Sequence, residues 1–278
     1  MSTYRFVVIS LLLSLSLRVV GCDGPKDNSD SSTVAGLNIS ELPLSVVSVE
    51  GSWNEVDPLF DDHYQWRCSA GVLSASETRL VLVTSSTCLG LAALVDSDRS
   101  SPDLGQYNLK ATFAGHQSIN VTQIGEIRRD LGISLLAIDN PMLSQGEAYM
   151  TLKRGVEAPI EIGADVVSLM QRGEVNGSYV FGQVTGLQEI TEHMDAVPCI
   201  ETDFKLQPQD RGSPLFLVVE NRYVWVGVNT PVGIDDEELA FAVDANEIDP
   251  SQFEWFNADR IGVVELLASI YGVEAHVE

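Results

Sequence analysis

The residues best equipped for chemistry lie in one stretch, Gln209-Asp210-Arg211-Gly212-Ser213-Pro214-Leu215, preceded by Glu201-Thr202-Asp203 and followed by Val226-Gly227-Val228-Asn229-Thr230. It gathers a hydroxyl at Ser213, a carboxylate at Asp210 and two cations, Lys205 and Arg211. A serine becomes a nucleophile only with a base in hydrogen-bond reach. The histidines, His63, His116, His193 and His276, sit in no frame that supplies one. A guanidinium is always protonated, so Lys205 and Arg211 favour holding an anion over moving a proton. Oxygen ligands for a metal could come from Asp96-Ser97-Asp98, from Asp57 with Asp61-Asp62-His63, or from Asp235-Asp236-Glu237-Glu238. None has the loop spacing of an EF-hand, and each reads more simply as a solvated acidic loop. No metal and no cofactor is implied.

The frame of residues 209–215 resembles the nucleophile segment of the chymotrypsin-like serine proteases. That segment runs Gly-Asp-Ser-Gly-Gly-Pro-Leu, or Gly-Asn-Ser-Gly-Gly-Pro-Leu with a downstream Val-x-Gly-Ile-Asn-Thr in the bacterial high-temperature-requirement branch. Here the serine slot holds Arg211 and the glycine two places on is Ser213. Cys68-Ser69-Ala70-Gly71-Val72-Leu73 resembles the family's Cys-Gly-Gly-Ser-Leu-Ile strand, and Leu82-Val83-Thr84-Ser85-Ser86-Thr87-Cys88 resembles its Val-Leu-Thr-Ala-Ala-His-Cys. The resemblance implies a Cys68–Cys88 disulfide beside the histidine slot, which holds Thr87; a disulfide also suits an exported chain. The family's Asp-Ile-Ala-Leu-Leu has its counterpart in Gly132-Ile133-Ser134-Leu135-Leu136, with Gly132 at the carboxylate position and Asp130 two residues earlier. The likeness runs from about residue 46 to 256.

A catalytic triad needs a nucleophile, a base to take its proton and a carboxylate to orient the base. Threonine has no titratable base near neutral pH, and a guanidinium cannot attack, so Thr87 and Arg211 cannot perform the first two tasks. Gln209 replaces the glycine on which the family's oxyanion hole depends. Asp210 survives where active members have Asp or Asn, without any Arg/Lys-Ile-Val-Gly-Gly activation site, and is placed to hold Arg211 instead. Lys205 occupies the position that resembles the base of the specificity pocket.

These groups must be positioned by a chain of 278 residues that is 45% hydrophobic and carries a formal charge of −24. That size and composition suit one large or two medium globular domains. The charge makes nucleic acid a poor partner, because phosphates would be repelled. Residues 1–21 read as a cleaved signal: Arg5, an apolar run over 6–17 too short to span a bilayer, then Val19-Val20-Gly21 before Cys22. Val19-Val20-Gly21-Cys22 also resembles a bacterial lipobox, which would place lipid on Cys22. If it does, Cys199 is an unpaired thiol; if not, a Cys22–Cys199 bridge is open. Residues 22–43 are Asp/Ser/Gly-rich and read as a flexible tether.

Beyond the tether, short β-rich runs alternate with turn signals. They lie near residues 45–50, 71–73, 79–84, 107–113, 119–127, 133–138 and 148–153, then 165–170, 179–185, 199–204, 214–219, 223–228 and 239–243. Runs of this length and spacing predict an all-β barrel or sandwich. Gly155 and Pro159 mark a linker near 154–160. A helical period near the C terminus puts Ile261, Val264, Leu267, Ile270 and Tyr271 on one face, with Asn257 as N-cap, Gly272 as stop and a companion helix near 250–256.

The expected fold is therefore all-β, a chymotrypsin-like double β-barrel with C-terminal helices. Its first barrel spans 44–153, and 154–278 hold the second barrel with the helices packed outside. The expected function is that of a non-catalytic homologue, an envelope lipoprotein that binds protein or peptide. Its cleft candidates are Thr87, Asp130, Lys205, Gln209, Asp210, Arg211 and Ser213, and its membrane contact is the lipid on Cys22. An active serine endopeptidase with a non-standard constellation is the competing class, and a structural or ion-binding envelope protein a third.

Overall fold

The structure, a computed structural model, describes residues 36–55, 63–91, 104–113, 118–128, 131–139, 149–154, 159–170, 178–192, 195–203, 205–230 and 240–271. Cys22, Asp130, His116, His193, His276 and the acidic runs around Asp61, Asp96 and Asp235 lie outside these residues, as do the signal and most of the tether.

The first half builds an eight-stranded half-barrel sheet in the order β14-β6-β7-β3-β2-β1-β4-β5. The strands are β1 (Val46–Glu55), β2 (His63–Ala75), β3 (Arg79–Ser85), β4 (Leu104–Phe113), β5 (Ser118–Asn120), β6 (Gln123–Gly125) and β7 (Ile133–Asp139), with β14 (Trp255–Asn257) arriving from the far end of the chain. Residues 118–125 cross from one end of the sheet to the other, since Val121 N–H donates to Leu109 and Thr122 N–H to Ala137. β3 and β7 read as nearly continuous apolar runs because both of their faces are covered. With the two-residue period of a strand, Leu80, Leu82, Leu136 and Ile138 enter the core inside the first sheet. Val83, Ile133 and Leu135 point the other way, into a separate core that they share with Phe216, Trp225, Val228 and Phe241. One alternating pattern thus fills a barrel and glues it to its neighbour.

The second half is a closed six-stranded barrel, β10-β13-β12-β11-β8-β9. Its strands are β8 (Asp165–Met170), β9 (Ser178–Glu192), β10 (Asp195–Thr202), β11 (Pro214–Val219), β12 (Arg222–Asn229) and β13 (Ala240–Asp244). Val166, Met170, Val184, Ile200, Leu215, Leu217, Val224 and Ala242 fill it. The expected all-β, two-barrel architecture is present.

Several details differ from expectation. The run expected near 148–153 forms no strand over its described residues 149–153, whose Met150 and Leu152 N–H groups donate singly to Leu44 O and Val72 O. Residues 36–43 are not tether: Leu37 is buried, exchanges backbone hydrogen bonds with Tyr223 and leads into α1 (Leu42–Ser45). Leu37 and Leu42 are apolar enough to join the core between the barrels, which the polar residues before them are not. The expected helix near 250–256 is a 3₁₀ turn, Pro250–Gln252, followed by β14, which pairs with β6. This part of the chain therefore belongs to the first sheet, not to the second barrel. The terminal helix α2 (Arg260–Tyr271) starts at Asp259, whose side chain accepts from Gly262 N–H at 2.9 Å, rather than at Asn257. It buries Val263, Leu266 and Leu267 in the first core and leaves Ile261 52% exposed.

The residues leading into the linker are held to both halves of the fold: Leu152 N–H donates to Val72 O, Trp225 N–H donates to Lys153 O, and Arg154 bonds Ile248 O while lying over the Trp225 ring.

Candidate functional site

The site forms where the end of β3, the turn before β7 and the turn before β11 meet. β3 ends at Ser85 and runs into a 3₁₀ turn, Ser86–Leu89, closed by Gly90 in the left-handed region at φ 68°. This turn carries Thr87. Cys88 within it is bonded to Cys68 of β2, with Cα atoms 5.7 Å apart. Two aromatic side chains clamp its carbonyls: Trp66 Nε1 donates to Cys88 O at 2.7 Å and Tyr107 Oη to Leu89 O at 2.8 Å. The Trp66 indole fits because Gly51 and Gly90 present no Cβ, which would lie 2.1 Å and 2.6 Å from its ring. Burial holds the Tyr107 phenol well above its ordinary pKa, so it stays a donor to Leu89 at any ordinary pH.

Gly132, in the turn before β7, has φ 62°. Its carbonyl accepts from Ser86 N–H at 2.9 Å and from Thr230 Oγ1 at 2.8 Å, with Ser85 Oγ at 3.4 Å. Ser85 Oγ is 2.9 Å from Thr87 Oγ1 and 3.1 Å from Thr230 Oγ1. The structure thus joins Thr87 to Gly132 through two hydroxyls, Ser85 and Thr230, that sequence reasoning missed. Thr230 ends the Val226–Thr230 run already singled out, but its partner could not be read from spacing. Three hydroxyls and one carbonyl make a neutral cluster whose protons are directed at a carbonyl; none of these groups can accept a proton from a nucleophile near pH 7.

The third strand of the site comes from the turn before β11. Pro208–Asp210 form a 3₁₀ turn in which Asp210 Oδ2 accepts from Gln207 N–H at 2.8 Å. Asp210 is buried in this capping role. Arg211 N–H points back to Pro208 O at 3.4 Å, while Arg211 O accepts from Ser69 N–H at 3.0 Å and lies 3.4 Å from Cys88 Sγ. An oxyanion hole requires amides free and aimed at the reacting carbonyl. The Arg211 amide is instead turned into its own 3₁₀ turn.

The Arg211 side chain is half-buried, Gln209 likewise, and Lys205 is exposed. Among the described residues the Arg211 guanidinium has no hydrogen-bonding or ionic partner. Ser213 points elsewhere. It is fully buried, with Ser168 Oγ 3.0 Å and Asn229 Nδ2 2.9 Å from its hydroxyl. His63 is at the start of β2, beside Gln65. Cys199 of β10 is a free, buried thiol, pushed up to about 11 by burial and then by the Asp244 carboxylate, so it is not a nucleophile near neutral pH. No helix among the described residues is long and apolar enough to cross a membrane.

No protein-family model and no curated protein matches the chain. Solved structures do. The chain is similar to the Rv3671c protease of M. tuberculosis H37Rv in an inactive form, with TM-score 0.51, 18% identity, and coverage of 75% of this chain and 87% of that one. It is similar to Deg5, with TM-score 0.52, 17% identity and the same coverage, 75% and 87%. With its disulfide, its closed barrel and its half-barrel sheet, this chain has the fold of the trypsin-like serine proteases.

Proposed function

We propose that this chain is a non-catalytic module of trypsin-like fold, held in a bacterial envelope by lipid on Cys22, that binds peptide or protein in the former catalytic cleft. The observation that carries the reading is the content of the triad positions: a hydroxyl at Thr87, a carbonyl at Gly132 and a guanidinium at Arg211. Triad members act as a unit, and removing the nucleophile or base costs about 10⁶ in kcat. An unpaired, half-buried guanidinium is suited to a carboxylate, since a charge-assisted, forked hydrogen bond is worth roughly 1.5–3 kcal/mol. A peptide with a free C-terminal carboxylate is the ligand this cleft favours.

The test uses the purified mature chain with unfolded casein, a fluorophosphonate probe, and peptide pairs that differ only in a free or amidated C terminus. We expect casein turnover at the buffer level, no serine labelling, and at least tenfold tighter binding of the free-carboxylate peptide, lost in Arg211→Ala. Turnover, or labelling of Ser213, would restore the endopeptidase reading. Equal affinity for both peptides would remove the carboxylate site. Anchoring has its own measurement: the full chain expressed in a bacterium should enter the detergent phase of a partition with Cys22 acylated. Recovery in the aqueous phase with an unmodified Cys22 would refute it.

A further inference from the structure

We infer that the outer edge of β9, at Tyr179–Phe181, is a docking site for an extended, basic peptide segment of a partner protein, separate from the cleft around Arg211. β9 pairs with β8 only from Ser178 to Gln183, and with β10 only from Val184 onward. Val184 exchanges hydrogen bonds with residues 163 and 164 on the β8 side, whereas Gln183 N–H and C=O turn the other way, to Asp203. Groups on a strand alternate in direction with a period of two. The N–H and C=O of Phe181 and Tyr179 therefore face away from β8, toward a side where no strand lies among the described residues.

An open strand edge is a template for another strand. This one carries apolar anchors as well. The Tyr179 and Phe181 rings are stacked with centroids 6.3 Å apart, and Phe181 is 61% exposed. Tyr179 Oη reaches Ile39 O at 3.3 Å, which brings the 48%-exposed Ile39 to the same place. At the Gln183 end stand two carboxylates: Asp203 Oδ1 accepts from Gln183 N–H at 2.8 Å and Asp165 Oδ1 from Gln183 Nε2 at 3.1 Å. Backbone ladder, aromatic pair and carboxylates together select an extended segment with apolar side chains at alternate positions and lysine or arginine between them. A second copy of this chain fits poorly, because two bodies of charge −24 repel.

The probe is a fluorescein-labelled, C-terminally amidated hexapeptide of alternating valine and lysine, followed by anisotropy at low salt; amidation removes any carboxylate for Arg211. We expect saturable binding, weakened at least tenfold by Tyr179→Ser with Phe181→Ser and unchanged in Arg211→Ala. Methylating alternate peptide amides should weaken it at least tenfold on the unaltered protein, where no question of folding arises. A glutamate-for-lysine analogue should not bind. Absence of saturable binding overturns the inference, and so does binding indifferent to both ring removal and amide methylation, which would be charge adsorption alone. A dimer in sedimentation that Phe181→Ser dissociates would assign the edge to a second copy instead.

Discussion

Replacing Gly212 by alanine should destabilise the protein by at least about 4 kcal/mol, beyond the range of ordinary point substitutions. Gly212 has φ 80°, a region that costs an L-residue roughly 1–3 kcal/mol. The larger part is contact. An added Cβ would lie 2.1 Å from Ser69 O, 2.2 Å from Thr84 Oγ1 and 2.9 Å from Ser85 N. Two of those atoms are backbone, and they belong to the strands that carry the disulfide and the Thr87 turn, so nothing flexible can give way. Relief would require lifting the turn off the first sheet and breaking the Ser69–Arg211 and Gly212–Asn229 bonds, 3.0 and 2.7 Å. Gly163 supplies the control, with φ 88° and nothing within 4 Å of its absent Cβ. Gly163→Ala should therefore cost only the conformational part, about 1–3 kcal/mol. Denaturant titration of both variants separates the two effects. Equal losses would mean that the close approach at Gly212 does not exist.

Removing the Cys68–Cys88 bridge should have the next largest effect. It closes a loop of sequence separation 20, for which the chain-entropy account gives about 3 kcal/mol. The paired Cys68→Ala, Cys88→Ala variant should melt about 6–12 °C lower, at the 2–4 °C per kcal/mol usual for a domain of this size. In the unfolded, unreduced and unaltered chain, thiol modification followed by peptide mapping should label Cys199 and leave Cys68 and Cys88 unlabelled. A melting point that does not move in the variant would show that the clamps from Trp66 and Tyr107 already hold the turn without the bridge.

The strands were legible because their periodicity is a local property. Val81 and Val83 alternate with Leu80 and Leu82 on any reading of the chain. The cysteine pair was legible through the motifs around it. What escaped notice depends on neighbours far away in sequence. Ser85 and Thr230 are ordinary hydroxyl residues until the fold sets them 3.1 Å apart across a separation of 145 residues. Ser213 looked like a displaced nucleophile, but its hydroxyl faces Ser168 and Asn229 inside the second barrel. Asp210 looked like a partner for Arg211, but a 3₁₀ turn claims its carboxylate. At the other end, Trp255-Phe256-Asn257 lacks the length to announce a strand. It becomes one because β6 offers an edge, with Glu126 N–H bonding Glu254 O and Ala258 N–H bonding Thr122 O on either side.

That late strand has a consequence in time. β6 is made early and β14 near the end, with the whole second barrel between them. At the usual 5–20 residues per second of synthesis, β6 waits on the order of 10 s for its neighbour. During that interval the first sheet has an uncovered edge at Gln123–Gly125 and a core without Phe256, Val263, Leu266 and Leu267. The first half of the chain is therefore not an independent folding unit that the second half merely joins. It remains exposed to wrong pairing until β14 and α2 arrive, so its completion follows the synthesis of the second barrel instead of preceding it.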